Sequence, residues 1–304
     1  MTYSISVQDT TIAARDGYRL AATAFTPEQP PQRIVLINSA TAVPRKIYRG
    51  FANYLASRGS AVISYDYRGV GGSRPASLKG FDARMRDWAA LDVAGAIDHA
   101  RQVWPLIPLA YVGHSFGGQA LGLVPNNVEV SRALFVAAQA GYWRLFTPPE
   151  NYRVYAMLKF IGVPAARLLG YAPGRFGIGE DLPKGVFLEW VHWVMQPRYL
   201  FDDQTLAARE NYPRYDGALL AIGFDDDPWA TAPAIDLLVS GYTGAKSERR
   251  QIAPRQVGAE KIGHFGFFRP ERREPLWRQA AEWLETDVAR KNPQDHSAAA
   301  DARS

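Results

Sequence analysis

The stretch Leu109-Ala-Tyr-Val-Gly-His-Ser-Phe-Gly-Gly118 decides how the rest of the chain is read. Residues 109–112 form a short apolar run of the kind a buried strand needs, and a short helix is expected from Phe116. Between them Gly113-His-Ser115-Phe-Gly117 carries the spacing G-x-S-x-G, which in a strand-to-helix setting marks an elbow that exposes a serine. The turn is so tight that the residues two before and two after the serine must lack side chains. Gly113 and Gly117 satisfy this, leaving Ser115 Oγ above the strand end. The N-terminus of the helix that follows favours negative charge developing there. A glycine-rich helix start without chemistry is the competing reading, and the strand-to-helix setting argues against it.

Working outward, strand and helix patterns alternate. Residues 3–14 and 18–26 read as two extended segments joined at Arg15-Asp16-Gly17. Strands are then expected at 33–37, 61–65, 109–112 and 133–137, with helices near 46–57 and 81–103. After a gap the pattern resumes with a strand at 217–222, a helix near 232–240, a strand near 250–257 and a closing helix near 273–290. Near-continuous apolar strands separated by amphipathic helices indicate an α/β fold with a parallel sheet covered on both faces. The gap, 139–215, holds 15 of the 37 aromatic residues and lacks strand-like alternation, so a helical cap inserted over the C-terminal edge of the sheet is expected. The expected organisation is a core of 1–138 and 216–291, a cap of 139–215 and a small, polar, disordered tail of 292–304.

Composition narrows the chemistry. Without Cys there is no disulfide framework, thiolate nucleophile or Cys-based metal site. No metal-binding or Walker motif occurs, and Gly69-Val-Gly-Gly-Ser73 lacks the Gly-Lys-Ser/Thr ending, so no cofactor is expected. The formal charge is +5, and nine Lys and Arg against four Glu lie between Lys246 and Arg278. Without a nucleic-acid-binding motif that excess reads as a solvated face, and no nucleic-acid partner is expected. No apolar run reaches the ~18 residues of a membrane span and no signal-like segment opens the chain, so a soluble cytoplasmic protein is expected. The sequence leaves the oligomeric state open.

A serine hydroxyl needs a base, and histidine titrates near neutrality. Of the five His, His114 lies inside the elbow, His99 in an expected helix, His192 in the cap and His296 in the tail. His264, in the loop Ile262-Gly-His-Phe-Gly-Phe-Phe268, is the candidate base. The base needs a carboxylate to fix its tautomer, and Gly223-Phe-Asp225-Asp226-Asp227-Pro228 offers three in a row at a strand end. Asp226 is the first choice and Asp227 the second.

These motifs resemble the α/β-hydrolase superfamily, specifically predicted α/β hydrolases of the serine aminopeptidase-like group. The likeness rests on Asp66-Tyr-Arg-Gly-Val-Gly-Gly-Ser73, Gly113-His-Ser-Phe-Gly-Gly118, Asp226-Asp-Pro-Trp229 and Gly263-His-Phe-Gly-Phe-Phe268, in the order Ser, Asp, His. It implies an α/β-hydrolase fold, a mostly parallel central sheet flanked by helices with a helical cap insertion. Asp66 and Arg68 resemble a pair that braces the loop near the elbow. Many relatives carry His-Gly after the third strand, where this chain has Asn38-Ser-Ala-Thr-Ala42. The resemblance implies an oxyanion hole of backbone N–H groups, from Phe116 and from Ala40 with Thr41 as neighbour.

The expected function is a serine hydrolase that cleaves an ester or amide bearing an apolar group through an acyl-enzyme. Trp143, Trp190 and Trp193 of the aromatic cap are the candidate substrate contacts. An acyltransferase using the same triad and a non-catalytic ligand-binding protein of this fold are the alternatives; an intact Ser, Asp, His set disfavours the second.

Overall fold

A computed structural model of the chain describes residues 3–177 and 179–286. Ten strands are present among the described residues: β1 (Ile5–Ala13), β2 (Arg19–Pro27), β3 (Arg33–Asn38), β4 (Ser60–Tyr65), β5 (Leu109–His114), β6 (Arg132–Val136), β7 (Tyr171–Ala172), β8 (Leu182–Pro183), β9 (Ala218–Phe224) and β10 (Lys246–Ile252). Eight form one sheet in the order β1-β2-β4-β3-β5-β6-β9-β10. β1 and β2 form an antiparallel hairpin, β2 pairs antiparallel with β4, and every later neighbour is parallel.

Each parallel crossover needs a covering element. The helices are α1 (Arg49–Ala56), α2 (Met85–Asp87) continued through a π-helical stretch into α3 (Ala94–Val103), α4 (Phe116–Leu121), α5 (Glu150–Ala156), α6 (Val163–Leu169), α7 (Lys184–Val194), α8 (Ala232–Val239) and α9 (Arg278–Glu285). The central strands β4, β5 and β6 are buried at every residue, which is why they read as near-continuous apolar runs. The parallel register opposes Asn38 to Gly113, His114 to Val136, and Val136 to Ile222. The loops after β3, β5, β6 and β9 therefore leave the sheet along one edge.

The largest differences from the sequence reading fall at two elements. The expected helix at 81–103 begins at Met85, because Arg84 is extended and the Asp87 carboxylate accepts its N–H at 2.7 Å. The last strand is Lys246–Ile252 rather than 250–257. Its sequence Lys-Ser-Glu-Arg-Arg-Gln-Ile is polar because it is the sheet's edge, and Pro254 has no N–H to extend the ladder.

The long β6–β9 connection is mostly helical. α5, a π-helical stretch (Met157–Gly162) and α6 make one continuous run of residues 150–169. The antiparallel pair β7 and β8 was not expected from the sequence, since strands of two residues leave no periodicity to read. Hydrogen bonds tie the connection to the body: Thr147 N–H donates to Pro228 O, Thr231 Oγ1 to Leu145 O, and Tyr212 Oη to Gln119 O. No helix among the described residues is long and apolar enough to cross a membrane. The expected tail, 292–304, lies outside the described residues.

Candidate active site

Ser115 follows β5 directly and precedes the first residue of α4, with φ 51° and ψ −113°, a conformation a non-glycine residue holds only where the surroundings impose it. The imposition is visible. A Cβ on Gly117 would lie 2.2 Å from Asn38 O, and one on Gly113 would lie 2.5 Å from Gly118 N, so only glycines allow α4 to turn back against β3 and β5. Ser115 N–H donates to Val136 O at 3.1 Å, fixing the elbow to the next strand. Phe116 N–H is at the first helical position, where no preceding turn of helix offers it an acceptor.

His264 lies in the loop after β10, 7% exposed. Its Nδ1 is 2.7 Å from Asp227 Oδ2. An ionised carboxylate only accepts, so the ring proton resides on Nδ1 and Nε2 keeps a free lone pair. The other oxygen of Asp227 accepts the N–H groups of Trp229 and Ala230 at 2.9 and 3.1 Å. Burial pushes the Asp227 pKa up, but the His264 ring and these donors together hold it below the usual carboxylate value. Asp226, the first choice from sequence, points elsewhere: its carboxylate accepts the N–H groups of Ile262 and Gly263 at 2.8 and 3.0 Å. Adjacent residues in this turn project to different sides, so one pins the His264 loop and the other meets the His264 ring.

The elbow histidine has its own task. His114 is fully buried, with Nε2 2.9 Å from the main-chain oxygen of His264 and Nδ1 2.9 Å from Tyr48 Oη. Tyr48 Oη in turn accepts Ala40 N–H at 2.9 Å. The directions follow from the ends: the Ala40 amide can only donate and the His264 carbonyl only accept, so Tyr48 donates to Nδ1 and His114 carries its proton on Nε2. Burial, with His264 adding to it, pushes the His114 pKa down to about 3, which keeps the ring neutral. This geometry conflicts with the expectation for Ala40, whose N–H is already committed to Tyr48. Thr41, its neighbour, lines the cavity with it. Asn38, in the place of the relatives' histidine, donates to Leu36 O and Val112 O at 3.2 Å and accepts from Tyr65 Oη, bridging β3 to β5.

Ser115 and His264 open onto one cavity of about 220 Å³. Its walls are largely apolar, from Phe146, Val154, Met157 and Trp190 of the β6–β9 connection and from Trp229 and Phe265 of the loops after β9 and β10. Of the three tryptophans singled out from sequence, only Trp190 lines it. Trp193 is wholly buried, its Nε1 donating to Asp203 at 2.9 Å, and Trp143 packs on Tyr155 with ring centroids 4.6 Å apart. Trp229, the last residue of the motif Asp226-Asp-Pro-Trp229, also lines the cavity. Its ring meets His264 edge to face at 5.0 Å, and its indole N–H reaches Glu150 of α5 at 2.6 Å. Two glutamines, Gln119 and Gln139, also line the cavity. Gln119 lies four residues after Ser115 on α4, the one helical signal that would have found it.

Asp66 and Arg68 both brace loops at this edge, each with other partners. Asp66 accepts the N–H groups of Arg45 and Gly72 at 2.6 and 2.8 Å and pairs with the Arg45 guanidinium. Arg68 is bonded to Asp92 and Asp16, both at 2.7 Å.

Residues 34–274 match the model of the alpha/beta hydrolase family, and the chain belongs to that family. No curated protein sequence matches it. Solved structures with the same fold include the esterase EaEST from Exiguobacterium antarcticum, at 18% identity and TM-score 0.58 over 92% of this chain and 100% of that one. A thermostable carboxyl esterase from Bacillus coagulans aligns at 14% identity and TM-score 0.59, over 92% and 98%. An acylaminoacyl peptidase from Pyrococcus horikoshii aligns at 12% identity and TM-score 0.57, over 96% of this chain and 43% of that one.

Proposed function

We propose that this protein is a serine hydrolase that cleaves esters, and amides of matching shape, through a covalent acyl-enzyme. The observation that carries the reading is the 2.7 Å bond between Asp227 and His264, with His264 and Ser115 on one cavity. Ser115 Oγ attacks the substrate carbonyl while its proton passes to His264 Nε2. Asp227 stabilises the resulting imidazolium. The proton then goes to the leaving group; water, deprotonated by His264, attacks the acyl-enzyme, and the proton passes from His264 to Ser115 Oγ as the acid leaves. Phe116 N–H is one oxyanion donor. The loop after β3 supplies the other: the Thr41 N–H has no acceptor among the described residues, whereas the Ala40 N–H serves only by giving up Tyr48.

Residues 139–215 act as a cap over this site. Phe146, Val154, Met157 and Trp190 line the cavity, so the reading favours an apolar acyl or leaving group. The test is turnover of p-nitrophenyl esters of graded chain length beside aminoacyl p-nitroanilides. Hydrolysis that peaks at intermediate length supports the reading; no turnover of any of them by the folded protein overturns it.

A further inference from the structure

The run 150–169 has two faces. Its inner face supplies Val154 and Met157 to the cavity, and Leu158, Gly162 and Ala166 are buried. The outer face carries Tyr152, Ala156, Phe160, Pro164 and Leu168, each four residues from the last, and all five are exposed. Phe160 is 66% and Leu168 86% exposed. Such a helix would ordinarily turn polar side chains outward. At a rise of 1.5 Å per residue the stripe is ~24 Å long. Of the ten exposed large hydrophobic side chains among the described residues, four lie between Tyr152 and Leu168.

The charges beside the stripe have one sign. Arg153, Lys159 and Arg167 are exposed, and Glu150, the one acidic residue of the run, is held by Arg153 at 2.6 Å and by Trp229. Lys159 and Arg167 have no acidic partner among the described residues. A second copy of this face would set cations against cations. Aromatic and aliphatic side chains flanked by Lys and Arg are instead the pattern that settles at the boundary of a lipid bilayer, with anionic headgroups meeting the cations.

We propose that the outer face of residues 152–168 docks the protein on anionic lipid surfaces. Docking sets the helix that walls the cavity at the lipid boundary, where apolar esters concentrate. The binding itself does not depend on Ser115, so it stands or falls apart from the hydrolase reading.

The experiment is flotation of the full-length protein with vesicles of phosphatidylcholine alone and of phosphatidylcholine with an equal part of phosphatidylglycerol. Binding is expected to be at least ~10-fold stronger to the anionic vesicles and to weaken as salt is raised. The double substitution Phe160→Ser with Leu168→Ser removes the apolar part, and Lys159→Glu with Arg167→Glu reverses the charge. All four side chains are exposed, and unchanged circular dichroism verifies folding. Loss of binding in both variants supports the proposal. Absence of binding by the wild type, equal binding to both vesicle types, or full binding by either folded variant overturns it. A concentration-dependent dimer that Leu168→Ser dissolves, without vesicle binding, overturns it in favour of self-association.

Discussion

His114 Nε2 lies 2.9 Å from the main-chain oxygen of His264, so the residue just before the proposed nucleophile holds the backbone of the proposed base. The same ring reaches Tyr48, and Tyr48 reaches the Ala40 peptide. Three loops from different strand ends are thus joined by one buried chain of hydrogen bonds with a fixed direction.

Tyr48→Phe removes the middle of that chain and leaves the Ala40 N–H and His114 Nδ1 unpaired in the interior. A loss of roughly 2 kcal/mol of stability is expected, because buried polar groups without partners keep their full desolvation cost. Urea midpoints of the two proteins measure it; equal midpoints would show that water or rearrangement replaces the hydroxyl.

His114 also makes stability depend on pH. Its folded pKa of about 3 lies below the unfolded value of 6.5, so the unfolded chain binds a proton that the folded one refuses. Stability is present above pH ~6.5 and falls as the pH drops towards 3, by up to ~1.4 kcal/mol per pH unit. The depressed Asp227 pKa acts with the same sign, below its ordinary value of 3.8. Melting temperature followed from pH 7 to pH 4 should decline less steeply in His114→Gln than in the wild type. Parallel slopes would remove His114 from this role.

The two carboxylates separate cleanly by experiment. Asp227→Asn should lower kcat by on the order of 10⁴, because the amide oxygen stays with the Trp229 and Ala230 N–H groups and the NH2 turned to His264 favours the wrong imidazole tautomer. Asp226→Asn should leave kcat within a few-fold and cost roughly 1–2 kcal/mol of stability, since it weakens the bonds to Ile262 and Gly263. The reverse pattern would return the role to Asp226.

Ser115→Ala should abolish covalent labelling by a fluorophosphonate, because only an activated hydroxyl attacks phosphorus under mild conditions. Persistent labelling at full stoichiometry would move the nucleophile elsewhere.

Trp190 and Trp193 are three residues apart on α7 and should behave differently. Trp190→Ala enlarges the cavity and should shift ester preference towards longer acyl chains, with labelling at Ser115 retained. Trp193→Ala should leave the preference alone and cost ~3–5 kcal/mol, as a buried aromatic side chain is lost. A chain-length profile for each variant, with its melting temperature, decides the matter.

Local patterning along the chain is enough to set the alternation of strand and helix, the parallel core and the elbow at Ser115. Those features are local: apolar runs bounded by turns, and two glycines where any Cβ would strike Asn38 O or Gly118 N. The sequence also singles out His264, by elimination among five histidines. Which aspartate faces His264 is set by packing between loops distant in the chain. Asp226 and Asp227 are identical in chemistry and adjacent in the chain, and the turn after β9 sends one to the loop backbone and the other to the ring. The same holds for Trp190 and Trp193, where composition marks an aromatic segment but packing chooses which ring sees the cavity. Tyr48 carried no signal at all, because its partners, Ala40, His114 and through it His264, come together only when three strands end along the same edge of the sheet.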